Sequence, residues 1–268
     1  MPDPYTRKVY LQRLEHPVLS ARHSQGARRR TAQLQQFLAA LHGGSSPHLP
    51  LPGEGSSAEL LVVDRRDWGK LFSYPYGLPF TRTRAERVTV VAAAAYPERL
   101  LHRFDDVLVR AAKAGVDAPG DLREFLDLLI GHEWGHAAAN LSGLRTGVKW
   151  LDELLATYLF LLALRETGAG EVSRRFLAWA EVERAGSGVD RAPLGSFEYP
   201  RMKARFATML WFQGVFTLRA AELLEHHAWD FPLAFGDLPK RRGEVARRLI
   251  EVEPSFKPWF STFGKTEE

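Results

Sequence analysis

The chain of 268 residues contains no cysteine, and this absence narrows the chemistry that is open to it. Without thiols there can be no disulfide framework, no thiolate zinc finger and no cysteine nucleophile. Any metal site must therefore take its ligands from histidine, aspartate and glutamate. The lack of cysteine leaves the redox compartment open but removes the usual argument for secretion.

The sequence shows no signal-peptide pattern and no long hydrophobic run. The first residues, Met1 to Tyr5, show no basic region followed by an apolar stretch, so we see no signal peptide. The most apolar stretch, residues 154–164, is about half as long as the roughly 20 residues that a transmembrane helix needs. It predicts a buried helix instead. We therefore expect a cytoplasmic protein with no membrane partner.

The charge balance is mildly basic. The formal net charge is +4 and the isoelectric point is near 9.4. Basic residues cluster at 28–30 and at 240–242. Neither cluster has interleaved aromatic residues or a recognition motif, which favours a solvated helix face over a phosphate-binding patch. A nucleic-acid partner is therefore not expected, and the oligomeric state is not indicated.

Hydrophobic patterning divides the chain into a short N-terminal segment and a larger domain. Residues from about 6 to 41 have helical periodicity, and the stretch 43–57 is rich in Gly, Ser and Pro, as a linker is. These features place a helical segment at 1–42 and the main domain at 58–268.

The main domain is predicted to begin with strands and continue with helices. Two short apolar runs, 59–64 and 87–96, are typical of strands. Helices are predicted over residues 100–114, 121–141, 147–166, 171–184, 202–227 and 243–253. This order indicates an α+β fold, with a small N-terminal sheet and a mainly α-helical C-terminal half.

One of these helices carries the motif HExxH, formed by His132, Glu133 and His136. Two histidines four positions apart lie on one helix face, with Cβ atoms about 5–6 Å apart. Both imidazoles can therefore reach one Zn²⁺ at about 2.0–2.1 Å. Glu133 points beside the metal, where it can take a proton from a zinc-bound water. The alternative is a pair of core histidines that are satisfied by neighbouring carbonyls.

A catalytic zinc site needs a third protein ligand. No HxxGxxH continuation follows His136, which excludes the metzincin pattern. Further along, residues 150–158 read Trp-Leu-Asp-Glu-Leu-Leu-Ala-Thr-Tyr. This stretch resembles the helix W-L-N-E-G-F-A-x-Y that follows HExxH in the M1 aminopeptidases and their gluzincin relatives. The resemblance places Glu153, 17 residues after His136, at the position of the third ligand.

The residues themselves agree with this position for Glu153. A short loop at 142–146 joins the two predicted helices, so they can lie antiparallel with Glu153 facing the histidine pair. A carboxylate beside the apolar run 154–164 is costly unless it is paired or metal-bound. The alternative is that Glu153 only begins its helix, where an acidic residue suits the helix dipole.

The resemblance implies a zincin-like fold with HExxH on a central helix, and a gluzincin-like metallopeptidase domain at 58–268. It implies a zinc peptidase in which a zinc-activated water attacks the peptide bond of a peptide or protein substrate, with Glu133 as the general base. It also implies a tyrosine that stabilises the oxyanion. Tyr199 is the candidate for that second catalytic residue. His226 and His227 are less favoured donors, and Tyr158 is expected in the core.

The resemblance further implies a strand at the sheet edge that pairs with the substrate backbone. Residues 88–95 are the candidate, and a buried strand is the equal alternative. The G-A-M-E-N stretch that anchors the substrate amine in M1 enzymes has no counterpart here, which favours an endopeptidase or oligopeptidase over an aminopeptidase. The aspartate that follows the glutamate by four residues in thermolysin-type enzymes is replaced by Thr157.

Two other functions are compatible with the same residues. The first is a non-catalytic or regulatory gluzincin-like zinc-binding module, against which the intact Glu133 argues, since a purely structural site has no use for a base. The second is a nucleic-acid-associated protein, which only the basic residues at 28–30 support.

Overall fold

The structure, a computed structural model, describes residues 9–49, 57–84, 87–198, 206–235 and 242–264. It has an α+β architecture, in which a five-stranded mixed sheet packs against a body of helices. The strands are β1 (Gln12–Leu14), β2 (Ser20–His23), β3 (Ser57–Val63), β4 (Phe80–Arg84) and β5 (Arg87–Ala93). The predicted α+β class is confirmed.

The helices follow the pattern that the sequence predicts in the second half of the chain. They are α1 (Arg28–Ser45), α2 (Arg65–Leu71), α3 (Glu98–His102), α4 (Asp105–Lys113), α5 (Leu122–Leu141), α6 (Lys149–Glu166), α7 (Gly170–Gly186), α8 (Phe206–His226), α9 (Asp230–Leu233), α10 (Arg242–Val252) and α11 (Phe256–Phe260), with a 3-10 helix over Leu194–Glu198. The helix predicted at 100–114 is divided into α3 and α4, where Phe104 buries its ring against Phe125.

The first three residues of the helix predicted over residues 6–41 lie outside the described part of the chain, and the prediction is wrong for residues 9–27. There β1 and β2 form an antiparallel pair, and β2 runs parallel to β3. These strands have three and four residues, too few for their alternation to outweigh the helical periodicity that follows. The division into 1–42 and 58–268 stays a prediction, and strands from both sides of it share one sheet.

The sheet has the strand order β1-β2-β3-β5-β4, with β3 and β5 parallel in the middle and β4 antiparallel to β5. Side chains of β3 and β5 alternate between two cores. Those facing the main helical core are Leu60, Val62, Val88, Val90 and Ala92, and those packed around Trp68 are Leu61, Val63, Val91 and Ala93. Coverage of both faces explains why these two strands are nearly continuous apolar runs.

The strand predicted to lie at the sheet edge does not lie there. β5 is hydrogen-bonded to β3 on one side and to β4 on the other, so the edge role predicted for residues 88–95 is wrong. Its alternative, a buried strand, is confirmed. Among the described residues the edge next to β5 belongs to β4, whose sequence Phe-Thr-Arg-Thr-Arg is polar, as exposed edge strands commonly are.

Helix α6 is buried on nearly all sides, because α1, α5, α7 and α8 pack around it. Its residues from Leu154 to Leu164 are all buried. The hydroxyl of Tyr158 donates a 2.8 Å hydrogen bond to the carbonyl of Ala228 within this core, so the core role predicted for Tyr158 is confirmed. Neither α6 nor any other described helix combines the length and apolarity that a bilayer crossing requires.

Candidate metal centre

Two glycines let α5 pack very close to α6. A Cβ added to Gly135 would overlap the carbonyl oxygen of Ala156, and a Cβ added to Gly131 would overlap the ring of Phe160. A side chain at either glycine would therefore force the two helices apart. Each glycine directly precedes a histidine of HExxH, so the contact that joins the helices also places the two imidazoles opposite α6.

Gly135→Ala is expected to destabilise the protein by about 1–3 kcal/mol, because an overpacked helix contact has to open. Zinc affinity should fall with it, since α6 carries Glu153. Denaturant unfolding and zinc titration measure the two effects. Gly43→Ala is the matched control, because Gly43 is also helical and an added Cβ meets nothing within 4 Å. Equal stability of the parent and Gly135→Ala would contradict the close contact.

The predicted ligands converge between these two helices. His132 and His136 on α5 and Glu153 on α6 place their ligand atoms within 4.8 Å of one another. Oε2 of Glu153 lies 3.2 Å from Nε2 of His132 and 3.4 Å from Nε2 of His136. Over the described part of the chain, this is the one group of three or more such side chains that could hold a metal ion.

Two imidazole nitrogens and one carboxylate oxygen form a donor set that suits Zn²⁺, and other first-row divalent ions accept the same set. Nδ1 of His132 lies 3.0 Å from Oγ1 of Thr157, which can accept a hydrogen bond from the protonated Nδ1 and so leave the lone pair of Nε2 directed toward the centre. Thr157 thus supplies a neutral acceptor where thermolysin-type enzymes have an aspartate. The residues present fit a zinc ion.

The Glu153 carboxylate and the His136 imidazole shift each other's pKa. Burial lowers the pKa of His136, but the Glu153 carboxylate outweighs burial and, with a smaller contribution from Glu133, raises the pKa to about 9. Burial raises the pKa of Glu153, but the two imidazoles outweigh it and hold this pKa well below its usual range. A bound cation would take the place of the His136 proton, so metal affinity should weaken as the pH falls.

Glu133 follows His132 directly in the chain, at the point where α5 contacts the sheet. Its side chain is partly exposed, and its charge contributes to the raised pKa of His136, so the carboxylate lies near the centre. Its backbone carbonyl accepts a 2.7 Å hydrogen bond from Oγ1 of Thr81 on β4. The edge strand therefore borders the metal centre.

The loop between α5 and α6 is held by polar side chains. Asp152 accepts hydrogen bonds from the backbone nitrogen and from Oγ1 of Thr146, both at 2.8 Å. Nδ2 of Asn140 donates to the carbonyl of His136 at 2.7 Å. Asp152 precedes Glu153 directly, so its contacts with Thr146 fix the turn of α6 that carries Glu153.

A residue that was not among the predicted site residues reaches the centre from a third helix. Gln213 on α8 donates from Nε2 to Oε2 of Glu153 at 2.8 Å. It is the polar residue of the otherwise apolar stretch Met-Leu-Trp-Phe-Gln-Gly-Val-Phe at 209–216. A polar side chain in such a run needs a partner, and this signal could have identified it.

Other predicted residues are not brought to the centre. Tyr199 lies outside the described residues, as do Lys240 and Arg241 of the second basic cluster. His226 and His227 lie about 20 Å beyond Gln213 along the direction of α8, at 1.5 Å per residue. Nε2 of His227 contacts Glu253 at 2.6 Å, away from the metal ligands.

Arg30, from the first basic cluster, is engaged within the protein. Its Nη2 donates to Asp127 at 2.6 Å and its Nε donates to the carbonyl of Ala93 at 2.8 Å. The guanidinium also lies 4.8 Å from the centre of the Tyr96 ring. Arg30 therefore joins α1 to β5 and α5.

No protein-family model, curated protein or solved structure matches this chain. The resemblance to gluzincins stays a prediction that rests on the residues of α5 and α6. Function is therefore inferred from the chemistry of the centre itself.

Proposed function

We propose that the protein is a zinc-dependent peptidase with a zincin-like fold of the gluzincin type. The observation that carries the proposal is the convergence of His132, His136 and Glu153 from two helices, with Glu133 beside them. Structural zinc sites are usually closed by four protein ligands, whereas catalytic sites have three and keep a position for water. Three converging ligands and an adjacent carboxylate favour the catalytic class.

In the proposed peptide hydrolysis, three residues bind the metal and a fourth transfers the proton. His132, His136 and Glu153 would hold the zinc ion. Zinc, when bound, polarises the peptide carbonyl and lowers the pKa of a water toward neutrality. Glu133 takes the proton from the attacking water and passes it to the leaving amine. Its helix turn is held against the sheet by the bond from Thr81, which keeps this base at a fixed distance from the strand beside it.

The substrate backbone is proposed to lie along β4. An edge strand offers its backbone N–H and C=O groups to an extended peptide, and the Thr81 hydroxyl of β4 is hydrogen-bonded to the backbone carbonyl of Glu133. A peptide added to this strand would pass the catalytic carboxylate. β4 therefore takes the role that the sequence analysis gave to residues 88–95.

The oxyanion donor stays a prediction, with Tyr199 as the candidate. Glu198, the last described residue before it, accepts a 3.2 Å hydrogen bond from the backbone nitrogen of Trp150 on its side chain. Its carbonyl accepts a 2.6 Å hydrogen bond from Nζ of Lys149. The chain that leads to Tyr199 is thus attached to the first turn of α6, the helix of Glu153. The cytoplasmic location and the preference for internal peptide bonds also stay predictions.

A peptide-library assay with metal removal tests the proposal. Protein purified without chelator should cleave internal peptide bonds, lose the activity on dialysis against a chelator and regain it with one equivalent of zinc. Acetylated N-termini should be tolerated, because the sequence has no counterpart of the G-A-M-E-N stretch that anchors the substrate amine in M1 enzymes. Cleavage that survives complete metal removal would contradict zinc dependence, and cleavage confined to free N-termini would contradict endopeptidase activity.

A further inference from the structure

We infer that Gln213 is a positioning residue of the metal centre, whose side-chain amide holds the Glu153 carboxylate in the orientation that a metal ion requires. The inference rests on the proposed function, because it takes Glu153 as a zinc ligand. Nε2 of Gln213 lies 2.8 Å from Oε2 of Glu153. That same oxygen faces Nε2 of both histidines.

The nitrogen of the Gln213 amide is the atom that must face Glu153. An ionised carboxylate only accepts hydrogen bonds, so the amide NH₂ group and not its carbonyl points toward it. A carboxylate that binds a metal ion does so in its ionised form. The contact is therefore charge-assisted, the class of hydrogen bond that is shorter and stronger than a neutral pair.

The packing of α8 determines where Gln213 points. The next residue, Gly214, lets α8 approach α7, because an added Cβ would lie 2.6 Å from the carbonyl oxygen of Ala180. Phe212 and Phe216 are completely buried on the same helix. These contacts fix the backbone of α8, so the Gln213 side chain points toward α6 and lies opposite Glu153.

A neutral donor suits this position better than a cation. A lysine or arginine would bring positive charge against a ligand whose task is to attract a metal cation, and like charges repel. The amide restrains the carboxylate without neutralising it. Glu153 keeps 23% of its side-chain surface exposed, so it has room to rotate if the restraint is lost. Partners of this kind contribute about 10- to 100-fold to metal affinity in other sites.

Gln213→Met tests the inference, because methionine keeps the unbranched shape and helix preference but cannot donate. The dissociation constant for Zn²⁺, measured by chelator competition, should rise by about 10- to 100-fold. The visible absorption of the Co²⁺-loaded protein should change in position or intensity as the carboxylate reorients. Gln36→Met, at an exposed glutamine of α1, is the matched control and should leave both readouts unchanged. If methionine disturbs the packing of α8, Gln213→Leu is the second variant, because leucine also cannot donate a hydrogen bond.

A double-mutant cycle with Glu153→Ala distinguishes a positioning role of Gln213 from a role in packing alone. In a Glu153→Ala background, Gln213→Met should leave zinc affinity within about twofold, because no carboxylate is there to be held. An effect of equal size in both backgrounds would overturn the inference. So would a Gln213→Met protein that binds zinc as tightly as the parent with the same cobalt spectrum.

The outcomes also separate this inference from the proposed function. A parent that binds zinc but cleaves no peptide, with zinc affinity lowered by Gln213→Met, would overturn the peptidase and support the positioning role. A zinc-dependent peptidase whose metal affinity is unaffected by Gln213→Met would overturn only the positioning role. A parent that binds no zinc would overturn both.

Discussion

Glu133→Gln should lower the rate of peptide cleavage by about 10²- to 10⁴-fold, the range that a positioned general base contributes. The substitution keeps the shape of the side chain and removes only its ability to take a proton. Zinc binding should persist, because Glu133 is not among the three converging ligands. The hydrogen bond from Thr81 should also persist, since it goes to the backbone carbonyl. Steady-state kinetics on a cleaved library peptide, with metal analysis of the same sample, measures both.

Glu124→Gln is the matched control for this experiment. Glu124 lies on the same helix, is exposed and pairs with Arg175, away from the metal ligands. Its replacement should leave the cleavage rate unchanged. Equal activity of the parent and Glu133→Gln, with zinc bound in both, would contradict the role of Glu133 as general base and favour the non-catalytic zinc-binding module.

Glu153→Ala should weaken zinc binding more than any change at a supporting residue does, because it removes a ligand itself. The loss should exceed the roughly 10- to 100-fold expected for a partner such as Gln213. Zinc at 1,000 times its dissociation constant should stabilise the parent by about 4 kcal/mol, and the variant should lose this stabilisation. Thermal unfolding with and without zinc measures the difference.

The same variant changes the titration of His136. In the metal-free parent the Glu153 carboxylate raises the pKa of this histidine to about 9, against the effect of burial. Without that carboxylate, burial should dominate and the pKa should fall, which an NMR titration follows. Glu171→Ala, at an exposed residue paired with Arg174, is the control. Zinc affinity equal to that of the parent in Glu153→Ala would place the third ligand elsewhere.

The parts of the site that the sequence predicted are those whose geometry is local. His132 and His136 share a helix face because of the helical period, and the short loop before α6 brings Glu153 opposite them. The third ligand was therefore accessible from spacing and from the resemblance of residues 150–158, and the structure brings all three side chains together.

The parts that the sequence did not predict depend on contacts between distant segments. Gln213 is 60 residues from Glu153, and Thr81 is 52 residues from Glu133. The apolar run around Gln213 indicates that this residue needs a partner, but no local pattern identifies the partner of either Gln213 or Thr81. The edge strand was misplaced for the same reason, because strand order is set by pairing across the sheet, and β4 is short and polar. Gly131 precedes the HExxH motif and Gly135 lies within it, yet only the position of α6 shows what the two glycines do.

The zinc content of the protein purified without chelator tests the central claim most directly. Inductively coupled plasma mass spectrometry of the parent, Glu133→Gln and Glu153→Ala gives the metal content of all three proteins under one set of conditions. We predict about one zinc per chain in the parent and in Glu133→Gln, and strongly reduced zinc in Glu153→Ala. A folded parent that contains no zinc and takes up none on titration would contradict the metal centre and the peptidase built on it.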